Sequence, residues 1–139
     1  MQQLAPIALF VYNRPEHTRR TLEFLRKNLL ADESRLFIFS DAAKNASQIE
    51  KVNEVREMIK AVEGFKSVEI TERAINLGLA NSIIDGVSIL TAKYGKVIVF
   101  EDDLISSAFT LQYFNNALKR YENEERVQDL NAGGVIYLH

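Results

Sequence analysis

The chain has 139 residues, of which 47% are hydrophobic and 26% charged, with a formal net charge of −2. Those values describe one soluble globular domain with enough apolar material for a single core. A mildly acidic balance leaves no basic footprint, so nucleic acid is disfavoured as a main partner. The absence of cysteine excludes disulfides, thiolate catalysis and Cys-based zinc sites, and fits a reducing compartment.

Residues 1–4 are polar and lead into an apolar run, Ile7–Tyr12. The run is too short to cross a membrane and lacks a basic leader or a small-residue cleavage site. A cytoplasmic location is therefore expected, free or peripheral to the membrane. The run reads as a first strand and ends at Asn13-Arg14-Pro15. Pro15 suits the first turn of a helix, where its missing N–H would have had no partner. Leu22, Leu25 and Leu29 follow at helical spacing. A second strand is predicted over Leu36–Ser40 and closes on Asp41. Ser47 and Glu50 then read as a capping box for a helix that presents Val52, Val55, Ile59 and Val62 on one face.

The third predicted strand is Ser67–Thr71, and a loop through Asn76-Leu77-Gly78 leads into a helix with Ala80, Ile84, Val87 and Leu90 as its apolar side. Gly95 is a natural C-terminal stop for that helix. The fourth strand, Lys96–Phe100, delivers Glu101-Asp102-Asp103. A last helix from about Ser107 to Tyr121 carries Phe114, Ala117 and Leu118, and residues 128–139 are a tail or one more strand. Short, nearly unbroken apolar strands alternating with helices imply a Rossmann-like α/β fold, with a mostly parallel sheet and helices on both faces. Ligands in such sheets bind beyond the carboxyl ends of the strands. The polar residues there are Tyr12, Asn13 and Arg14 after the first strand, Asp41 after the second and the acidic triplet after the fourth.

Adjacent carboxylates raise one another's pKa in a partly buried site, and a divalent cation relieves the repulsion. With no His or Cys nearby, oxygen ligands favour Mg²⁺ or Mn²⁺ over zinc. Alternation along an extended chain puts Glu101 and Asp103 on one side, away from Asp102. Asp103 is the first choice as metal ligand, with Asp102 facing a ribose or sugar hydroxyl. Acids between a strand and a helix also serve as plain caps or solvated turns, but three exceed what one cap needs. Arg14 offers a fixed charge at a helix start, where backbone N–H groups also favour an anion. It fits a nucleotide diphosphate, and equally an exposed arginine. Asp41 suits the N3–H of uracil or a ribose hydroxyl, and also an Asx-turn that opens a loop. Asn76 and Gly78 either bring backbone close to a nucleotide or simply turn the chain. His17 reads as exposed or packed, and the terminal His139 carries no argument.

The run Ala5-Pro6-Ile7-Ala8-Leu9-Phe10-Val11-Tyr12-Asn13-Arg14-Pro15 resembles the opening of a family 2-type glycosyltransferase of GT-A fold. Asn76-Leu77-Gly78-Leu79-Ala80-Asn81 is similar to that family's Asn-x-Gly segment. Val97-Ile98-Val99-Phe100-Glu101-Asp102-Asp103-Leu104 resembles the strand and acidic motif of N-acetylglucosaminyltransferase I-like enzymes. The resemblance spans residues 5–127 in order and makes the chain the nucleotide-binding half of a GT-A fold. It implies that Arg14 contacts the nucleotide and Asp41 the base, and that Asn76, Gly78 and Asn81 line the same pocket. Glu101-Asp102-Asp103 would stand in for the DxD motif, with Asp103 on a Mn²⁺ or Mg²⁺ that bridges the donor diphosphate. The implied substrates are a nucleotide-sugar, a UDP-sugar by preference, and a glycan or lipid-linked acceptor, as in polysaccharide biosynthesis.

The family continues past its acidic motif into an acceptor-binding half that supplies the catalytic base. The ending Asp129–His139 does not resemble that continuation, so no base is assigned. The second reading is thus a non-catalytic nucleotide-binding or assembly module, and an exposed sheet edge would invite a second copy of the chain. A phosphoacceptor receiver domain is set aside, because Asn13 follows the first strand and Thr71-Glu72 the third. A nucleotidyltransferase would carry a Gly-rich loop after the first strand, and Asn13-Arg14-Pro15 contains no glycine.

Overall fold

A computed structural model describes residues 3–103, 106–125 and 134–138, without the side chains of residues 123–125 and 138. Five strands alternate with four α-helices: β1 (Ile7–Val11), α1 (Pro15–Arg26), β2 (Arg35–Ser40), α2 (Ile49–Ile59), β3 (Ser67–Glu72), α3 (Leu79–Tyr94), β4 (Lys96–Glu101), α4 (Thr110–Glu125) and β5 (Gly134–Leu138). All pairings are parallel and the strand order is β3-β2-β1-β4-β5. This is the expected Rossmann-like α/β fold. The tail is a strand over residues 134–138, whereas 126–133 and His139 lie outside the described residues.

The central strands are apolar at successive positions because both faces of the sheet are covered. Alternation sends Ile7, Leu9, Val11, Leu36, Ile38, Ile98 and Phe100 into one core, with Leu22 and Leu25 of α1, Val55 and Ile59 of α2, and Leu111 and Leu118 of α4. The intervening Ala8, Phe10, Phe37, Phe39, Val97 and Val99 form a second core under α3, which adds Leu90. Burying a leucine or isoleucine of this kind contributes about 1.5–3 kcal/mol. Among the described residues no helix is long and apolar enough to cross a membrane.

Several helix faces differ from the periodicity. Leu29 falls beyond α1 and is 47% exposed, and the buried face is Thr18, Thr21, Leu22 and Leu25. Ser47 does not cap α2. Instead Asn45 accepts its N–H at 3.1 Å and caps a single 3₁₀ turn, Ala46–Gln48, that precedes the helix. In α3 the phase is shifted, so that Ile84 is 63% exposed while Ser82, Gly86 and Leu90 are buried. The reason is Gly86. A Cβ there would stand 2.8 Å from Cζ of Phe10 and 3.1 Å from Cε2 of Phe39. The helix backbone lies against that stacked ring pair, whose centroids are 5.0 Å apart, and only a residue without a side chain permits the approach. In α4 the buried line is Leu111, Asn115 and Leu118, with Phe114 partly buried against the same core.

The sheet runs outward from β1 to β3 in one direction and from β4 to β5 in the other. The order reverses between β1 and β4, which opens a crevice at their carboxyl ends. Register aligns Val11 with Ser40 and Phe10 with Glu101. The residues that follow β1, β2 and β4 therefore emerge side by side.

Candidate functional site

A cleft of about 380 Å³ opens at this point, lined by Tyr12, Asn13, Arg14, Asp41, Asn76, Gly78, Glu101 and Asp102, and also by Phe10, Val11, Lys44, Leu79 and Ser82. Of the site residues expected from sequence, Asn81 and Asp103 are not on this lining. Asn81 donates its amide to the Leu77 carbonyl at 3.1 Å at the start of α3. Asp103 sits at the margin, 44% exposed and 3.8 Å from the Arg14 guanidinium.

The β4 side of the cleft is built on one ion pair. Arg14, the residue before α1, donates to the Asp102 carboxylate at 2.6 Å. The Asp102 carbonyl accepts from the Thr21 hydroxyl at 3.0 Å, which ties the turn after β4 to the middle of α1. Asp102 is only 5% exposed. Burial pushes its carboxyl above the ordinary value, against the pull of Arg14, with Asp103 raising it further and His17 opposing. Arg14 and Asp102 thus form a pair whose charges largely cancel. Strand alternation holds as far as Glu101, and the chain then turns, so Glu101 and Asp102 both reach the lining while Asp103 faces outward.

The opposite wall is organised by Asp41. One carboxylate oxygen accepts from the N–H groups of Ala42 and Leu77, both at 2.9 Å. The other accepts from the Gly78 N–H at 3.0 Å and the Asn76 amide at 3.2 Å. The Asn76 amide also donates to the Ala42 carbonyl at 2.8 Å. Four donors use the acceptor capacity of a carboxylate, so Asp41 holds the Asn76–Gly78 loop in shape. The turn reading of Asp41 is the one these bonds support. Gly78 has φ 82° and ψ 158°, a conformation that side-chain-bearing residues almost never adopt. Glycine is required there by backbone rather than by space, since an added Cβ would meet nothing within 4 Å.

Tyr12 and Asn13 are fixed from the loop after β2. The Tyr12 hydroxyl accepts the Lys44 N–H at 3.0 Å, and the Asn13 amide donates to the Gln48 side chain. Glu101 accepts from the hydroxyl of Tyr137 on β5. Loss of solvation and that bond push the Tyr137 phenol up to about 12.

Sequence reasoning missed Lys44, Ser82 and Tyr137. Ser82 was detectable in principle as a small polar residue three positions into α3, on the side that turns out to face the sheet. Lys44 and Tyr137 carry no local signal and join the site only through tertiary structure.

Among the described residues no three His, Cys, Asp or Glu side chains converge to hold a metal. Asp103 is nevertheless exposed, and beside it stands a carboxylate already balanced by an arginine. That donor set fits a hard cation that arrives with most of its ligands on a phosphate, because Mg²⁺ typically takes only one or two protein carboxylates in such sites. It does not make a preformed protein cage. No protein-family model, curated protein or solved structure matches the chain.

Proposed function

We propose that the cleft binds a nucleotide-diphospho-sugar together with Mn²⁺ or Mg²⁺, and that the chain is the donor-binding part of a metal-dependent glycosyltransferase. The observation that carries this reading is the convergence of Arg14, the Asp41-held loop and Glu101-Asp102 on one crevice where the strand order reverses. Such a crevice is where open α/β sheets bind nucleotides, and the resemblance of these same strand ends to the GT-A pattern supports the choice of nucleotide-sugar. The preference for a UDP-sugar rests on that resemblance alone.

In this reading the nucleoside lies against the Asn76–Gly78 backbone, and the diphosphate spans the cleft from the loop after β2, beside Tyr12, toward β4. Asp103, with Asp102 beside it, would hold the cation, which when bound stabilises the departing nucleoside diphosphate as a Lewis acid. Arg14 opposes the protonation that burial favours at Asp102 and orients the turn after β4. The sugar would pass to a hydroxyl of a glycan or lipid-linked acceptor.

One observation favours the second reading, a nucleotide-binding module without transferase activity. Each carboxylate on the cleft already has a partner: Asp41 its four donors, Asp102 Arg14, and Glu101 the Tyr137 hydroxyl. None stands free to take the proton of an attacking hydroxyl, as a general base must. Calorimetric titration with UDP and UDP-sugars, with and without Mn²⁺, separates the possibilities when combined with an assay for released UDP. Mn²⁺-dependent binding with release supports the transferase, and binding without release supports the module. Absence of any nucleotide binding sinks both.

A further inference from the structure

The charges on the cleft do not balance as the proposed ligand requires. Its lining carries two cations, Arg14 and Lys44, against three carboxylates, Asp41, Glu101 and Asp102. A cation at Asp103 would offset the diphosphate itself, but the lining stays net negative, so an uncommitted protein cation is needed to favour the anion there. Arg14 is committed, donating to Asp102 at 2.6 Å with Asp103 3.8 Å away. Freeing it would strand a buried carboxylate, which is costly.

Lys44 is different. It lies on the β2 wall of the same cleft and has no ion-pair partner among the described residues. Its backbone is anchored by the 3.0 Å bond from its N–H to the Tyr12 hydroxyl, while its side chain is exposed. A lysine ammonium on a flexible stem is a mobile point charge well suited to a phosphate oxygen.

We propose that Lys44 joins the cation in offsetting the ligand's negative charge, seating a phosphate oxygen on the wall opposite the Arg14–Asp102 pair. The proposal rests on the nucleotide reading of the cleft and adds a group to it. It also divides the work: Arg14 shapes the β4 side, and Lys44 supplies the attraction.

The test compares the wild-type chain with Lys44→Gln and Lys44→Arg by calorimetry against UDP, uridine and pyrophosphate, with Mg²⁺, at low and moderate salt. The side chain makes no described bond, so both variants should melt with the wild type. Loss of one charge-assisted contact corresponds to about tenfold weaker binding or more. Lys44→Gln should therefore weaken UDP and pyrophosphate about tenfold, flatten the salt dependence and leave uridine unchanged, and Lys44→Arg should restore most of the loss. Equal weakening of uridine and UDP would overturn the proposal, because the residue would then shape the wall rather than meet charge. Unchanged UDP binding in Lys44→Gln would overturn it while leaving the nucleotide reading in place. Wild-type protein that binds neither UDP nor pyrophosphate would overturn both. Pyrophosphate binding that depends on Lys44, without any gain from the nucleoside, would support Lys44 and defeat the nucleotide reading alone.

Discussion

Replacing Asp41 by asparagine exchanges one acceptor oxygen for a donor inside a site that offers four donors. The best arrangement keeps the new carbonyl toward the N–H groups of Ala42 and Leu77, both at 2.9 Å in the native chain. The amide nitrogen then confronts the Gly78 N–H and the Asn76 amide. Asn76 can turn over to accept, but only by giving up its 2.8 Å bond to the Ala42 carbonyl. The Gly78 N–H is left facing a donor in this arrangement, and the flipped amide would instead strand the Ala42 and Leu77 N–H groups. An unmet buried donor costs about 1–3 kcal/mol, and the surviving bonds lose their charge assistance. Relief from burying a carboxylate offsets part of this, for a net loss of about 2–3 kcal/mol out of the 5–15 typical of a domain. Urea unfolding should show a lower midpoint with an unchanged slope, and amide exchange at Leu77 and Gly78 should accelerate more than exchange in β1 and β4. A variant within 0.5 kcal/mol of wild type with unchanged protection of those amides would refute the account of Asp41 as the organiser of this wall.

Gly86→Ala gains about 1 kcal/mol of helix propensity but forces its Cβ to within 2.8 Å of Phe10, and overpacking costs about 1–3 kcal/mol. A lower melting temperature is expected, recovered by Phe10→Leu in the double variant but not in Phe39→Tyr. Gly78→Ala has open space and a forbidden backbone, so a loss of about 1–3 kcal/mol should be seen in thermal unfolding, with the helix content by circular dichroism unchanged. Asp102→Asn tests the buried carboxylate in the presence of a chelator. Since the folded-state pKa of Asp102 is raised, chiefly by burial, the fold favours its protonated form. Stability supplied by that form is present below the unfolded value and is lost as pH rises through the folded one. The asparagine variant lacks this loss, so its melting temperature should gain on the wild type as pH rises through that window, and a gap independent of pH would contradict the burial argument.

The parallel α/β architecture was legible because strand type and the alternation of strands with helices have local causes. Continuous apolar runs such as Ile7–Val11 and Val97–Phe100 report strands covered on both faces, and helices between them force parallel crossovers. Helix phase was less legible where the core is not aliphatic. Val87 and Leu90 of the expected α3 face do meet the core, but Ile84 is exposed and Ser82 and Gly86 are buried instead, because the opposing surface is a flat pair of phenylalanine rings that a glycine backbone approaches more closely. The Ser47-Glu50 spacing imitated a capping box, but Asn45 bonds the Ser47 N–H first and starts a 3₁₀ turn. Two local motifs competed for the same donor, and sequence spacing cannot rank them.

At the site the same division holds, and it has a physical origin. Residues directly attached to a strand's carboxyl end inherit their position from the sheet, so Arg14, Asp41 and Glu101-Asp102 could be placed together from sequence. What each does depends on neighbours that lie far along the chain. Arg14 meets Asp102 across 88 positions, and Asp41 meets Gly78 across 37. Both pairings convert a residue that looked available for a ligand into one that shapes the wall. Lys44 is the converse case. It occupies a loop without periodicity or motif, and it matters only because the arginine expected to face the anion is already bound to a carboxylate. A charge on a cleft is free or committed according to its tertiary partners, so the identity of the anion-facing residue follows from the folded charge balance rather than from the strand-end pattern that locates the cleft.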